Sequence, residues 1–321
     1  MGWRGAVRSF AAAARAAERD AQRRHKQALK SQMINESADA VVAWEEYVDK
    51  LVSLHTDLVD PINWHQTANR PKPPEPKFQR SHYEIANEAL QRFKPSFFHI
   101  FQGGSARKRK QLEDALAYAQ ETDAEEYETA KVDYANAITE WESDTHLASR
   151  LLKGEGVAIK EVIDELKSSL AEDLIGKSIS FLMSDGFVHA IPEVYTDEIV
   201  PKFRRKQLAS GKLSQTNMPS AQFNELYQDY VVSVSLKIAG DLFHILPINE
   251  IYVTCLTRML NARTGHQELS PILSVQFVRE TMHRLNLARL DPSDSLSNFN
   301  HVMEFKKTKG FEPVEPLKPI S

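Results

Sequence analysis

The residues that come closest to a catalytic arrangement are Asp294 and the triplet Glu304-Phe-Lys306. An Asp and a Glu on adjacent strands hold Mg²⁺ in many phosphodiesterases, and a Lys beside them activates the attacking water. The order fits that chemistry, with a competing local reading: Asp294 precedes Ser-Leu-Ser as a helix cap does, and Glu-x-Lys triplets are common by chance. Cys255 is the one cysteine and sits in an apolar, strand-like run, which suits a small core residue better than a nucleophile. It also excludes an intramolecular disulfide and any zinc cluster built on several cysteines. The eleven histidines are scattered, with no second ligand at a diagnostic spacing, so neither a metal nor a cofactor is expected. P-loop, GxGxxG, GxSxG, HExxH and EF-hand signatures are absent. A non-enzymatic protein is the expectation, with an Mg²⁺-dependent nuclease through Asp294, Glu304 and Lys306 as the weakest alternative.

Charge gives the next candidates. The 40 Lys and Arg nearly balance the 44 Asp and Glu, for a formal charge of -4. The balance hides two opposite segments. Residues 1–30 hold eight cations and two acids, and residues 111–145 hold eleven acids and one cation, Lys131. On a helix, Arg4, Arg8, Arg15, Arg19, Arg23 and Lys26 share an arc of about 100°, nearly opposite Trp3, Val7 and Phe10. Such a basic amphipathic helix can pack its apolar side on a partner helix, lie along nucleic-acid phosphates, sit on an anionic membrane or serve as a transit peptide. A second basic patch, Lys202, Arg204, Arg205 and Lys206, reads either as a solvated helix face or as a phosphate contact.

The elements that carry these groups follow from periodicity. Residues 36–58 show a heptad with Val41 and Val48 at one position and Trp44, Leu51 and Leu58 at the other. His55 falls on the same seam, where a partly buried histidine is expected rather than a ligand. Pro residues across 70–77 form a stiff extended connector, and a shorter helix follows to Lys94-Pro95. From Ser105 to Leu152 neither Pro nor Gly interrupts a second long helix, whose seam carries Tyr127, Tyr134 and Trp141. The two seams are expected to pair as an antiparallel coiled coil, within or between chains.

Beyond Gly154, two alternating runs meet at Asp185-Gly186, a strong hairpin signal. A helix opening at Pro219-Ser220 follows, then strands at 250–257 and 272–278 and short helices to Phe299. The expected fold is α+β: a helical coiled-coil region at 1–153, an α+β domain with an antiparallel sheet at 154–312, and a loose tail at 313–321.

The run Pro271-Ile-Leu-Ser-Val-Gln-Phe-Val-Arg-Glu280, leading to Leu290-Asp-Pro-Ser-Asp294, resembles a segment of bacterial proteins in which an arm of this kind precedes the same mixed domain. In some of them a similar segment stands directly before an Mrr-type restriction endonuclease domain. The resemblance implies an accessory module without the catalytic part, linked to DNA restriction or phage defence, and carries over no functional residue.

With 42% apolar and 26% charged residues, the composition is that of a folded protein of about two domains. No stretch approaches the ~20 apolar residues of a membrane span, and a cytoplasmic location is expected. The expected function is self-association or partner binding through the coiled coil. The alternative is a nucleic-acid-binding accessory subunit that uses the basic N-terminal helix.

Overall fold

The computed structural model describes residues 2, 37–94, 104–170, 174–184, 187–208, 213–261 and 263–318. The basic stripe of residues 4–26 and the Asp185-Gly186 turn lie outside the described residues. Two compact units emerge: Thr67–His146 forms one, and the chain before and after it forms the other. Residues 37–66 fold in the same unit as the sheet.

The larger unit is α+β. Its helices are α1 (Ser37–Val52), α2 (Trp64–Ala68), α5 (Gly156–Leu170), α6 (Ser220–Ile245), α7 (Arg279–Arg284) and α8 (Pro292–Ser295). Strands β1 (Ser178–Ser184), β2 (Phe187–Glu193), β5 (Glu250–Leu260), β6 (Gln267–Val278), β7 (Asn300–Lys306) and β8 (Gly310–Glu312) form a sheet in the order β1-β2-β5-β6-β7-β8. β3 (Phe203–Gln207) and β4 (Leu213–Asn217) make a separate hairpin. All neighbouring pairs run antiparallel except β2 and β5, which are parallel. The expected all-antiparallel sheet is corrected here, because a long crossover through the hairpin and α6 separates β2 from β5 and permits the parallel pairing. The patch at 202–206 is likewise a strand and not a helix face.

Alternation along the strands creates two unlike faces. Val188, Ala190, Ile251, Val253, Cys255, Leu273, Val275 and Phe277 are fully buried on the face toward α6, where Cys255 Sγ lies 4.0 Å from the Val231 carbonyl. Burial pushes the Cys255 thiol pKa up, as a core cysteine requires. The opposite face carries a row of buried polar groups beside Tyr252. His189 Nε2 lies 2.8 Å from Thr254 Oγ1, which lies 2.8 Å from Ser274 Oγ. Leu317 N donates to that Ser274 oxygen at 3.1 Å, and Val314 N donates to the Pro271 carbonyl at 2.9 Å. The tail expected to be loose is therefore pinned to the sheet over 314–317.

α6 is buried all round from Tyr230 to Phe243. Its second side is clamped by residues 54–64. His55 Nδ1 meets Ser233 Oγ at 2.8 Å and its Nε2 meets the Leu287 carbonyl at 3.0 Å. Lys237 pairs with Asp241 at 3.1 Å and donates to the Asp57 carbonyl. Asp241 Oδ1 accepts from Val59 N at 3.0 Å. Trp64 Nε1 donates to the Ile245 carbonyl at 2.6 Å. A Cβ at position 240 would sit 2.7 Å from Leu58 Cδ2, so Gly240 is what lets Leu58 approach the helix. The end of α6 is closed by Arg279, whose guanidinium donates to the carbonyls of Ile248 and Phe243 at 2.7 and 2.8 Å and to that of Leu246, a cation on the negative end of the helix.

The smaller unit holds α3 (Ser81–Arg92) and most of α4 (Gly104–Leu152). Among the described residues, no helix is long and apolar enough to cross a membrane.

Candidate interaction surfaces

The association seams expected from the heptads are both engaged inside their own units. On α1, Trp44 Nε1 donates to the Phe203 carbonyl at 3.0 Å, Tyr47 donates to the Ile199 carbonyl at 2.7 Å, and Leu51 is buried. Burial there raises the Tyr47 pKa to about 12. Val41 and Val48 are half-buried on the same helix, and Leu58 fills the space over Gly240. On α4, Trp141 Nε1 donates to the Arg70 carbonyl at 2.7 Å, Tyr127 meets the Phe78 ring edge-on at 5.3 Å, and Tyr134 is half-buried. Within its own unit α1 packs on α6 and the β3–β4 hairpin, and within the smaller unit α4 takes the Pro-rich connector. Periodicity shows that a face must be covered and is silent on what covers it.

Two buried carboxylates fix the connector and α3 on α4. Asp144 pairs with Arg70 at 3.2 Å. Asp123 accepts from His82 N at 3.0 Å and from Tyr83 N at 2.9 Å. It thereby caps the first turn of α3, whose own N-cap residue Arg80 offers no side-chain bond. An acid from another helix supplies what the local sequence lacks. Beside it, His82 Nε2 lies 3.0 Å from Glu126 Oε1. Sequence reading missed this cluster because its members are 41 and 44 positions apart, leaving only Asp123-x-x-Glu126 as a local trace.

The outer face of α4 is different. Asp114, Tyr118, Glu121, Glu125 and Val132 fall within an arc of about 60° at 3.6 residues per turn. Tyr118 is 72% and Val132 61% exposed. Among the described residues these three acids, with Asp133 and Glu142, form no ion pair, whereas Glu113 holds Arg109 and Glu128 holds Lys131.

The basic patch is divided by strand alternation. Lys202, Arg204 and Lys206 are exposed. Arg205 is buried against α1, where it donates to the Ala40 carbonyl at 3.4 Å and lies over the Phe203 ring at 5.1 Å. Burial lowers its pKa, and its Nε has no hydrogen-bond partner. Arg205 is therefore withdrawn from the candidate nucleic-acid contacts.

The Mg²⁺ arrangement lacks its first acid. Asp294 lies in the short helix α8, its N–H bonded to the capping Asp291 at 3.1 Å, and not on a strand beside β7. Glu304 and Lys306 do share β7, but Lys306 faces Glu312 of β8 at 3.5 Å. Strand placement of two carboxylates, which the chemistry needs, is absent for this trio. Comparison with protein-family models, curated proteins and solved structures finds no match for this chain.

Proposed function

We propose that this chain is a non-enzymatic interaction protein that binds a cationic protein partner along the outer face of α4. The observation that carries this reading is the stripe of Asp114, Glu121 and Glu125, which form no ion pair among the described residues, interleaved with exposed Tyr118 and Val132. Exposed aromatic and aliphatic groups among acids supply both the apolar contact and the charge steering that a basic partner surface uses. The likeness of residues 271–294 to segments that precede Mrr-type nucleases suggests a setting in bacterial DNA restriction or defence, with this chain as an accessory component acting in the cytoplasm. The test is capture of partners from the native host by the wild type and by a Glu121→Lys/Glu125→Lys variant. A partner that is retained by the wild type, released by ~0.5 M salt and lost with the variant supports the reading. Identical capture by both proteins overturns it.

A second reading places nucleic acid on the β3–β4 hairpin, supported by the exposure of Lys202, Arg204 and Lys206 on one hairpin. Three phosphate contacts would give weak, steeply salt-dependent binding. Fluorescence anisotropy with duplex and single-stranded DNA at ~50 mM salt tests it, and no change in anisotropy ends it.

A further inference from the structure

We propose that His82, Asp123 and Glu126 form a binding site for a divalent first-row transition cation, with Zn²⁺ or Co²⁺ as the probe. This inference is independent of the partner-binding reading. One ligand atom from each residue lies within 4.8 Å of the other two, and the His82 Nε2 to Glu126 Oε1 separation is 3.0 Å. Ligand atoms bound tetrahedrally at the usual zinc distances stand about 3.3 Å apart, so modest rotation of the half-exposed His82 and exposed Glu126 side chains completes the set.

The donor set suits the cation. One imidazole and two carboxylates present mixed nitrogen and oxygen ligands with a formal charge of -2, a combination that binds zinc, cobalt or manganese in preference to the all-oxygen cage that calcium or magnesium takes. The ligands also rest on rigid elements. Asp123 and Glu126 are three residues apart on α4, which places them on one side of the helix, and His82 stands in the first turn of α3. Asp123 is held by two backbone N–H groups, one on each oxygen, and each oxygen keeps a second lone pair for a metal. Those N–H bonds orient the carboxylate as outer-shell partners orient metal ligands elsewhere. Among the described residues no Lys or Arg forms an ion pair with Asp123 or Glu126, and Lys131 pairs with Glu128. Binding through Nε2 moves no electrons. The imidazole proton that points to Glu126 shifts to Nδ1, solvent fills the remaining positions, and the metal takes the place of the hydrogen bond.

The experiment titrates the metal-free full-length chain with Co²⁺, read by its visible absorption, and with Zn²⁺, read by calorimetry. One equivalent is expected to bind at micromolar concentration with a visible band characteristic of nitrogen and oxygen ligation. His82→Ala and Glu126→Gln leave the Asp123 cap intact and are each expected to weaken binding at least tenfold, with unchanged far-ultraviolet circular dichroism. Absence of binding up to ~1 mM metal overturns the proposal, as does affinity unaltered in both variants, which would place any bound metal on other histidines.

Discussion

The two long helices use buried aspartates to the same end under different conditions. Asp241 of α6 ties down the backbone at Val59, and Asp123 and Asp144 of α4 tie down the chain at Arg70, His82 and Tyr83. In each case an inward carboxylate holds irregular backbone against a helix. The counter-charge differs. Asp241 is paired one turn away with Lys237, and both side chains are at most 3% exposed. Asp144 pairs with Arg70, which is 31% exposed, and Asp123 accepts from two backbone N–H groups. All three carboxylates are at most 3% exposed, so the difference lies in the cation: the Lys237 ammonium is shut off from water with its acid, whereas the Arg70 guanidinium reaches solvent.

The largest effect is expected at the dry pair. Asp241→Ala strands the Lys237 ammonium in the core and should lower unfolding free energy by about 3–5 kcal/mol in urea titration. Joint replacement of Lys237 and Asp241 by Met should recover most of that loss, and a double variant as unstable as the single one would contradict the contrast drawn above. In the helical unit, Asp123→Ala removes two N–H acceptors at a helix end and should cost about 1–2 kcal/mol, with reduced amide protection confined to α3.

The histidines sharpen the same contrast through pH. Burial lowers the pKa of both His55 and His189. The unfolded chain then binds more protons than the folded one as pH falls below the ordinary histidine range of about 6.5. Stability should be fully present above that value and decline on acidification until the depressed folded pKa values are passed. Asp229 acts oppositely, since burial raises its carboxyl pKa to about 6 and favours the folded state as pH falls toward 4. His55→Gln and His189→Gln should each flatten the dependence of the urea midpoint between pH 7 and 5.5. An unchanged slope in the double variant would show that neither ring stays neutral in the fold. The smallest effect belongs to Lys306→Ala, an exposed pair with Glu312 on a strand edge, expected to change stability by less than about 1 kcal/mol.

Much of this fold can be read from the sequence. The uninterrupted helix to Leu152, the Pro219-Ser220 start of α6, the β1–β2 hairpin and the β5–β6 pair stand close to where local pattern places them. β3, β4, β7 and β8 do not, because charged residues dominate the first and chain-terminal polar stretches the last, and each is a strand by virtue of its partner. The sites were harder. Val41, Trp44, Val48, Leu51, Tyr127 and Trp141 read as surfaces needing cover, and the cover came from the chain itself. Lys237 is buried because residues 54–64 supply a wall over that side of α6. His82, Asp123 and Glu126 meet only after the connector folds back along α4, a closure that no local spacing encodes.

The clamp on α6 also sets the order in which this protein can be made. His55, Val59 and Trp64 bond to residues 178, 182 and 181 positions further along the chain. On the ribosome, at about 5–20 residues per second, residues 54–64 wait many seconds for the helix that completes them. The helical unit is finished in that interval, so local contacts form first and the long-range closure comes last. A nascent chain halted before Ile245 would display Leu51, Leu54 and Trp64 without their core, the kind of apolar exposure that chaperones recognise.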